Sequence, residues 1–262
     1  MKILNTNQFI SEKMKVIPIT NDELDKVITY NYFPETTEEL KSIILERIEK
    51  EGNECDLNDI DTSKIINMSE LFSEMDGFNG DISKWNVSNV TNMSDMFKYA
   101  KSFNQDISRW NVSNVAYMYN MFSDAESFNQ DISRWDVSKV TDMSGMFSDA
   151  KSFNQDISRW NVSNVTDMYD MFAYAKLFNQ DISRWNVSRV IDMSGMFDGA
   201  KSFNQDISKW NVSNVIDMRF MFNHAESFNQ DISRWDVSKV TDNSHMFNGC
   251  PLENNPPSWY KE

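Results

Sequence analysis

Seven tryptophans, Trp85, Trp110, Trp135, Trp160, Trp185, Trp210 and Trp235, recur at a spacing of 25 residues. Phe78, Phe103, Phe128, Phe153, Phe178, Phe203 and Phe228 keep the same spacing. This period constrains the fold more than any other feature, because a unit this short cannot bury its own apolar side and must stack on its neighbours. Seven units begin at Asp81, Asp106, Asp131, Asp156, Asp181, Asp206 and Asp231. They read D-I-S-R-W-N-V-S-N-V-T-D-M-S-x-M-F-x-x-A-x-x-F-N-Q. A degenerate unit precedes them from Asp56, with Ile60 in the Trp place and Leu71-Phe72 in the Met-Phe place.

The unit divides in two. Val90, Met93, Met96, Phe97, Ala100 and Phe103 fall on a helical arc of roughly 140°, which predicts a short amphipathic helix. Asp106-Ile107-Ser108-Arg109-Trp110 is too short for a helix and predicts a brief strand, followed by a turn over Asn111 to Asn114. Stacked in register, the units bury continuous rows of Trp, Phe and Met, and Asn104 and its equivalents can form ladders between coils. The expected fold is an α/β solenoid, a leucine-rich-repeat-like stack of seven to eight 25-residue coils. Each coil would be a short parallel strand plus a short helix, with a helical cap at the N-terminal end.

The run from Val140 through Met143-Ser144-Gly145-Met146-Phe147, Ala150 and Phe153-Asn154-Gln155 to Ser158 resembles the repeat of the BspA-like bacterial surface proteins. That family is similar to the leucine-rich repeats and includes mycoplasma surface lipoproteins. The resemblance covers Asp56 to Cys250. It implies a leucine-rich-repeat-like solenoid and a role in adhesion or host interaction. The chain departs from the leucine-rich pattern in lacking L-x-L in the strand, and the stretch from Met1 to Phe9 does not read as a secretory signal.

Three segments follow: 1–55, an N-terminal segment with its helical cap; 56–250, the repeats; and 251–262, a C-terminal cap. Thr36 with Glu39 fits a capping box, Leu40, Ile43, Ile44 and Ile48 form an apolar stripe, and Gly52 fits the stop. A weaker helix is expected after Thr20 or Asn21, through Leu24 and Val27-Ile28. At the far end Pro251, Pro256 and Pro257 stop further coils, and Trp259-Tyr260 are expected to fold back over the last one. Cys250 reads as a small core residue in the Ala row, and Cys55 as a structural residue partly exposed near the cap. At about 4.8 Å per coil the two are too far apart for a disulfide.

The formal net charge of -15 argues against nucleic-acid binding and against docking on anionic membranes. No stretch is long and apolar enough to insert in a bilayer. The row Asp81, Asp106, Asp131, Asp156, Asp181, Asp206 and Asp231 stacks like charges. Three compensations are open: turn N–H groups or the Ser two residues on; the Lys/Arg row Lys84, Arg109, Arg134, Arg159, Arg184, Lys209 and Arg234; or calcium. The first two are preferred, since the unit lacks the Gly-rich loops of calcium-binding repeats. No cofactor, resident metal or catalytic residue is expected: the polar groups recur in every coil, whereas a catalytic site gathers unlike groups once.

The informative places are those where coils differ. They hold Tyr119, Tyr169 and Arg219 in one row, Phe220 and His245 in the next, and Tyr99, Tyr174 and His224 in another. Tyr, Phe and Arg are residues that anchor interfaces. These eight form a candidate patch for an unidentified protein partner, and the expected function is a non-catalytic protein-binding scaffold. The alternative is a carbohydrate-binding module on the strand face, for a polysaccharide, which would require an exposed Trp row.

Overall fold

The computed structural model describes residues 16–17 and 28–260. Successive 25-residue units lie in register as a stack of coils. Isolated parallel bridges join Asn67 to Asn92, Asn92 to Tyr117, Tyr117 to Asp142, and so on to Asp217 with Asp242. Each of these bridges links equivalent places in neighbouring units, so the sequence period is also the spatial one.

The interior of each coil differs from the expected strand and helix. Among the described residues the repeats contain neither an α-helix nor an extended strand. Parallel pairing falls at the Asn92 place along the stack; at the Asp106 place it joins Asp56 to Asp81 at the start but does not continue through Asp106–Trp110. The latter segment is a tight turn, with Trp110 N donating to Ile107 O at 3.1 Å and Ser108 N to Asp106 Oδ1 at 2.9 Å. A second turn follows at the expected place, with Val115 N on Val112 O at 2.9 Å. The tripeptide Asx-apolar-Ser makes both turns: the Asx oxygen accepts the N–H two residues on and fixes the bend. The same device recurs in other coils at Asp142-Met143-Ser144 and Asp192-Met193-Ser194.

The expected helix is replaced by overlapping turns. Met96 N bonds Met93 O, Ala100 N bonds Phe97 O and Phe103 N bonds Ala100 O, at 3.0–3.3 Å. The intervening N–H groups leave the coil altogether: those of Met93, Asp95, Phe97 and Tyr99 donate to Tyr117, Tyr119, Met121 and Ser123 of the next coil. A helix would have spent these donors within its own segment. Left-handed residues every fourth position make the difference. Asp95 and Tyr99 have φ of 55° and 60°, and the equivalent residues of the following coils, from Asn120 and Asp124 to His245 and Gly249, are also positive.

The core is built of columns. Phe97 stacks face to face on Phe103 of its own coil at 3.9 Å and on Phe122 of the next at 5.5 Å. Trp110 and Trp135 lie 6.5 Å apart with planes 2° from parallel. Each buried indole N–H is satisfied by a carbonyl 28 residues back, as in Trp135 Nε1 to Ile107 O at 3.2 Å. A fully buried Phe or Met contributes about 1.5–3 kcal/mol, and these columns supply several per coil. The Asn ladder also forms: Asn129 N donates to Asn104 Oδ1, and the Gln130 amide to the same oxygen and to Asn104 O, all near 3.0 Å.

The N–H groups of the overlapping-turn ladder, such as those of Met93, Asp95, Phe97 and Tyr99, point toward the C-terminal coils, so that side of the stack is polar and its two ends need opposite caps. At the start sits α1, Thr37–Glu51. Thr36 caps it by accepting Glu39 N at 3.2 Å, while Glu39 returns its carboxylate to Glu35 N and not to Thr36 N. Gly52 ends it at φ 88°. Leu40 and Ile44 are buried against the first coil, and Ile43 and Ile48 are partly buried there. Thr37 Oγ1 and Lys41 Nζ donate to the carbonyls of Asn67 and Glu70 at 2.6 and 3.1 Å, supplying donors to the acceptor end of the stack. Arg47, buried, ties α1 down through Asp59 and the carbonyl of Asp56, and is itself held by Glu51 one turn on in the helix. β1 (Val16–Ile17) and β2 (Ile28–Thr29) pair antiparallel. The helix expected from Thr20 lies outside the described residues except for Ile28, which belongs to β2.

At the other end, the 3₁₀ turn Pro251–Asn254 places Glu253 so that its carboxylate accepts Gly249 N at 3.0 Å. Trp259 stacks on Trp235 at 6.5 Å, and Tyr260 meets Phe247 edge-on at 4.9 Å. Trp259 even repeats the indole bond, to Ile232 O at 3.1 Å. Cys250 is buried, its Sγ–H on Phe228 O at 3.3 Å, and burial pushes its thiol up to about 11. Cys55 is buried as well, not partly exposed as expected, because α1 and the first coils close over it. Both cysteines are free.

Candidate functional site

The aspartate row at Asp106 is held by the first of the three compensations considered. Each carboxylate from Asp81 to Asp231 accepts the N–H of the Ser two residues on. For Asp131, Asp156 and Asp181 the Ser hydroxyl and N–H lower the carboxyl below its ordinary range, with the adjacent Arg contributing less. Among the described residues no group of three or more His, Cys, Asp or Glu is arranged to hold a metal. The tryptophan row is not available as a platform for sugar rings: its seven indoles are 3–5% exposed.

The eight candidate residues lie on the overlapping-turn segment, and seven are exposed; Tyr119 is half-buried. Five of them, Tyr99, Tyr174, Phe220, His224 and His245, occupy left-handed backbone with φ between 51° and 60°. This conformation crowds a Cβ and costs roughly 1–2 kcal/mol for a residue other than glycine. The other repeat coils fill the same two places with Gly145, Gly195, Gly199 and Gly249 or with Asp and Asn, the residues suited to it, while the degenerate first unit carries Glu70 and Glu74 there. The glycines also make room. A Cβ on Gly199 would lie 2.5 Å from the Tyr174 ring, and one on Gly249 2.5 Å from the His224 ring. Tyr174 and His224 therefore lie along the stack over a glycine of the next coil.

Two groups form, and the other two candidates stand apart. In the first group Phe220 stacks on His245 at 5.1 Å, and Asn248 Nδ2 meets His245 Nδ1 at 3.1 Å. Arg219 Nε pairs with Asp217 Oδ2 at 3.2 Å, and its charge reaches the Tyr169 phenol two coils back. In the second group Tyr174 Oη donates to Asp198 Oδ2 at 3.2 Å, and Asn223 Nδ2 to Asp198 Oδ1 at 2.8 Å, with the His224 charge also felt at Asp198. Asp170 links the groups. Burial pushes its carboxyl up to about 6, a bond from Tyr169 opposes the rise, and Asp198 and Asp192 add to it. Tyr99 lies far up the stack beside Lys98, 5.7 Å from ring to ammonium, and Tyr119 is likewise apart.

Sequence reasoning passed over the surroundings of this patch. Asp142, Asp167, Asp192, Asp217 and Asp242 form an unbroken column through the bridge positions. Burial and like-charge neighbours raise Asp167 and Asp217. Ile191 and Ile216, 48% and 44% exposed, replace the Thr that stands at Thr141, Thr166 and Thr241. That replacement of a polar residue by an apolar one was the available signal.

No curated protein and no solved structure matched the chain. A family described as Mycoplasma protein of unknown function, DUF285, matches twice, over residues 40–160 and 148–259, the span from α1 to the C-terminal cap. The chain belongs to that family.

Proposed function

We propose that this chain is a non-catalytic, leucine-rich-repeat-like solenoid of the BspA-like surface class. In this reading it captures a protein partner through the patch running from Tyr169 and Tyr174 to Arg219, Phe220, His224 and His245. One observation carries the reading: bulky side chains stand in left-handed backbone where other coils place glycine. Drift without a use would favour Gly, Asn or Asp at such positions, and strain of this kind concentrates at functional sites. Exposed Tyr, Phe, Ile and Arg give the patch the composition of an interface centre. The aspartate column beside it favours a partner segment carrying Lys or Arg. A binding role also agrees with the repetition of the other polar groups coil after coil.

The test is capture by the intact chain compared with Tyr169→Ser, Arg219→Ser, Phe220→Gly combined. These replacements are the residues that other coils carry at the same places, so the fold tolerates them. A partner retained by the native chain and lost by the variant supports the patch; equal retention refutes it.

A further inference from the structure

A second surface, on the turn side of the coils, alternates with a period of two coils. Asn114, Lys139, Asn164, Arg189, Asn214 and Lys239 occupy equivalent places in six successive units. The cation of every second coil is held on the Asn of the coil before it: Lys139 Nζ to Asn114 Oδ1 at 2.6 Å, Arg189 to Asn164 at 2.8 Å, Lys239 to Asn214 at 2.6 Å. Each of those Asn is in turn fixed by its Nδ2 on a Ser carbonyl one coil further back, at 2.8 Å. The three cations are exposed, and no carboxylate among the described residues lies within ion-pair distance of them. The basic column from Lys84 to Arg234, one residue per coil in the adjoining turn, is likewise without a direct ion pair.

The carboxylates of this side are engaged elsewhere. Asp131, Asp136, Asp181, Asp231 and Asp236 each accept the backbone N–H of the Ser two residues on. Lys139 and Lys239 interact through space with the Asp136 and Asp236 charges, but no cation of the row is in direct contact with an anion among the described residues. Each is held in place by the Asn of the coil before it, so less side-chain freedom remains to be lost on binding. Two coils advance about 10 Å at the spacing of hydrogen-bonded neighbours, which is the length of one extended disaccharide.

We propose that this row binds a linear polysaccharide bearing one carboxylate per disaccharide, with its acid groups on Lys139, Arg189 and Lys239 in turn. The site is independent of the aromatic patch and needs no exposed tryptophan. Lys and Arg recognise the carboxylates as charge-assisted hydrogen bonds, and screening makes the association salt-sensitive.

The experiment measures binding of the intact chain to hyaluronan oligosaccharides, using neutral chitin oligosaccharides, polyphosphate and the single hyaluronan disaccharide as comparisons. Replacing Lys139, Arg189 and Lys239 together by Asn copies the intervening coils, and a Gln version serves if the Asn version melts early. The expected result is binding of the hyaluronan chain that weakens about tenfold or more in either variant. Added salt should weaken it too, while Lys151→Asn with Lys201→Asn, on another column, leaves it unchanged. Absence of hyaluronan binding, equal binding of the neutral chain, of polyphosphate or of the lone disaccharide, or an unaffected variant would overturn the proposal.

Discussion

The ring of Tyr174 lies over Gly199 of the next coil, where a Cβ would come within 2.5 Å of its Cδ1. Gly199 also has φ of 62°. Both facts act against any side chain there. Gly199→Ala should therefore lower stability by at least about 1 kcal/mol, from the left-handed backbone and from displacement of the tyrosine. Urea unfolding of the two chains measures it. A variant as stable as the native chain would mean the ring moves aside freely.

Arg47 holds α1 to the first coil through the Asp59 carboxylate and the Asp56 carbonyl, with its guanidinium buried and also paired with Glu51 of its own helix. Removing it takes the donor from Asp59 Oδ1 and from Asp56 O, leaving Asp59 with the Asn31 amide on its other oxygen. Arg47→Ala should cost about 3 kcal/mol, and hydrogen exchange should rise first in α1 and the coil beneath it. A loss spread evenly over all coils would contradict a local capping role.

The Asp170 carboxyl is raised from 3.8 to about 6, chiefly by burial. Between pH ~4 and ~6 the folded chain keeps a proton that the unfolded chain has released, so this group's contribution to stability falls as pH rises through that window. The lowered carboxyls of the Asp131 row act in the other direction and in a more acidic range, losing stability as pH falls. The expected observation is that Asp170→Asn gains on the native chain as pH goes from 4 to 6. A difference independent of pH would remove burial of the charge as the cause.

Seven indoles are nearly inaccessible, whereas Trp259 is half-buried on the last of them. Tryptophan emission should be blue-shifted and resistant to acrylamide, and Trp259→Phe should remove most of the small quenchable fraction. Ready quenching of the whole emission would place the row in solvent.

Much of this architecture is visible in the sequence because the 25-residue period copies each buried position onto the next coil. Trp110, Phe97, Met93 and Ala100 are core for the same reason that their counterparts are. The cap at Thr36 and Gly52 follows from local chemistry alone. The backbone path inside a coil was less legible. Apolar spacings of three and four, as in Met93, Met96, Phe97 and Ala100, arise from overlapping turns as well as from a helix. The distinguishing signal was the recurrence of Gly, Asn and Asp four residues apart, as at Gly195 and Gly199, which a helix would resist. The same positions carry the patch, so its strain became visible only with the φ angles. Segment Asp106–Trp110 turned rather than extended because Asp106 captures the Ser108 N–H.

In the proposed function, Phe220 is kept in left-handed backbone for binding and not for stability. Urea unfolding and partner capture by Phe220→Gly test both halves at once. Relief of strain offsets the loss of the stack on His245, so stability should stay within about 1 kcal/mol of the native chain while capture weakens. A clear loss of stability with capture intact would show that the ring serves the fold, and would contradict the account.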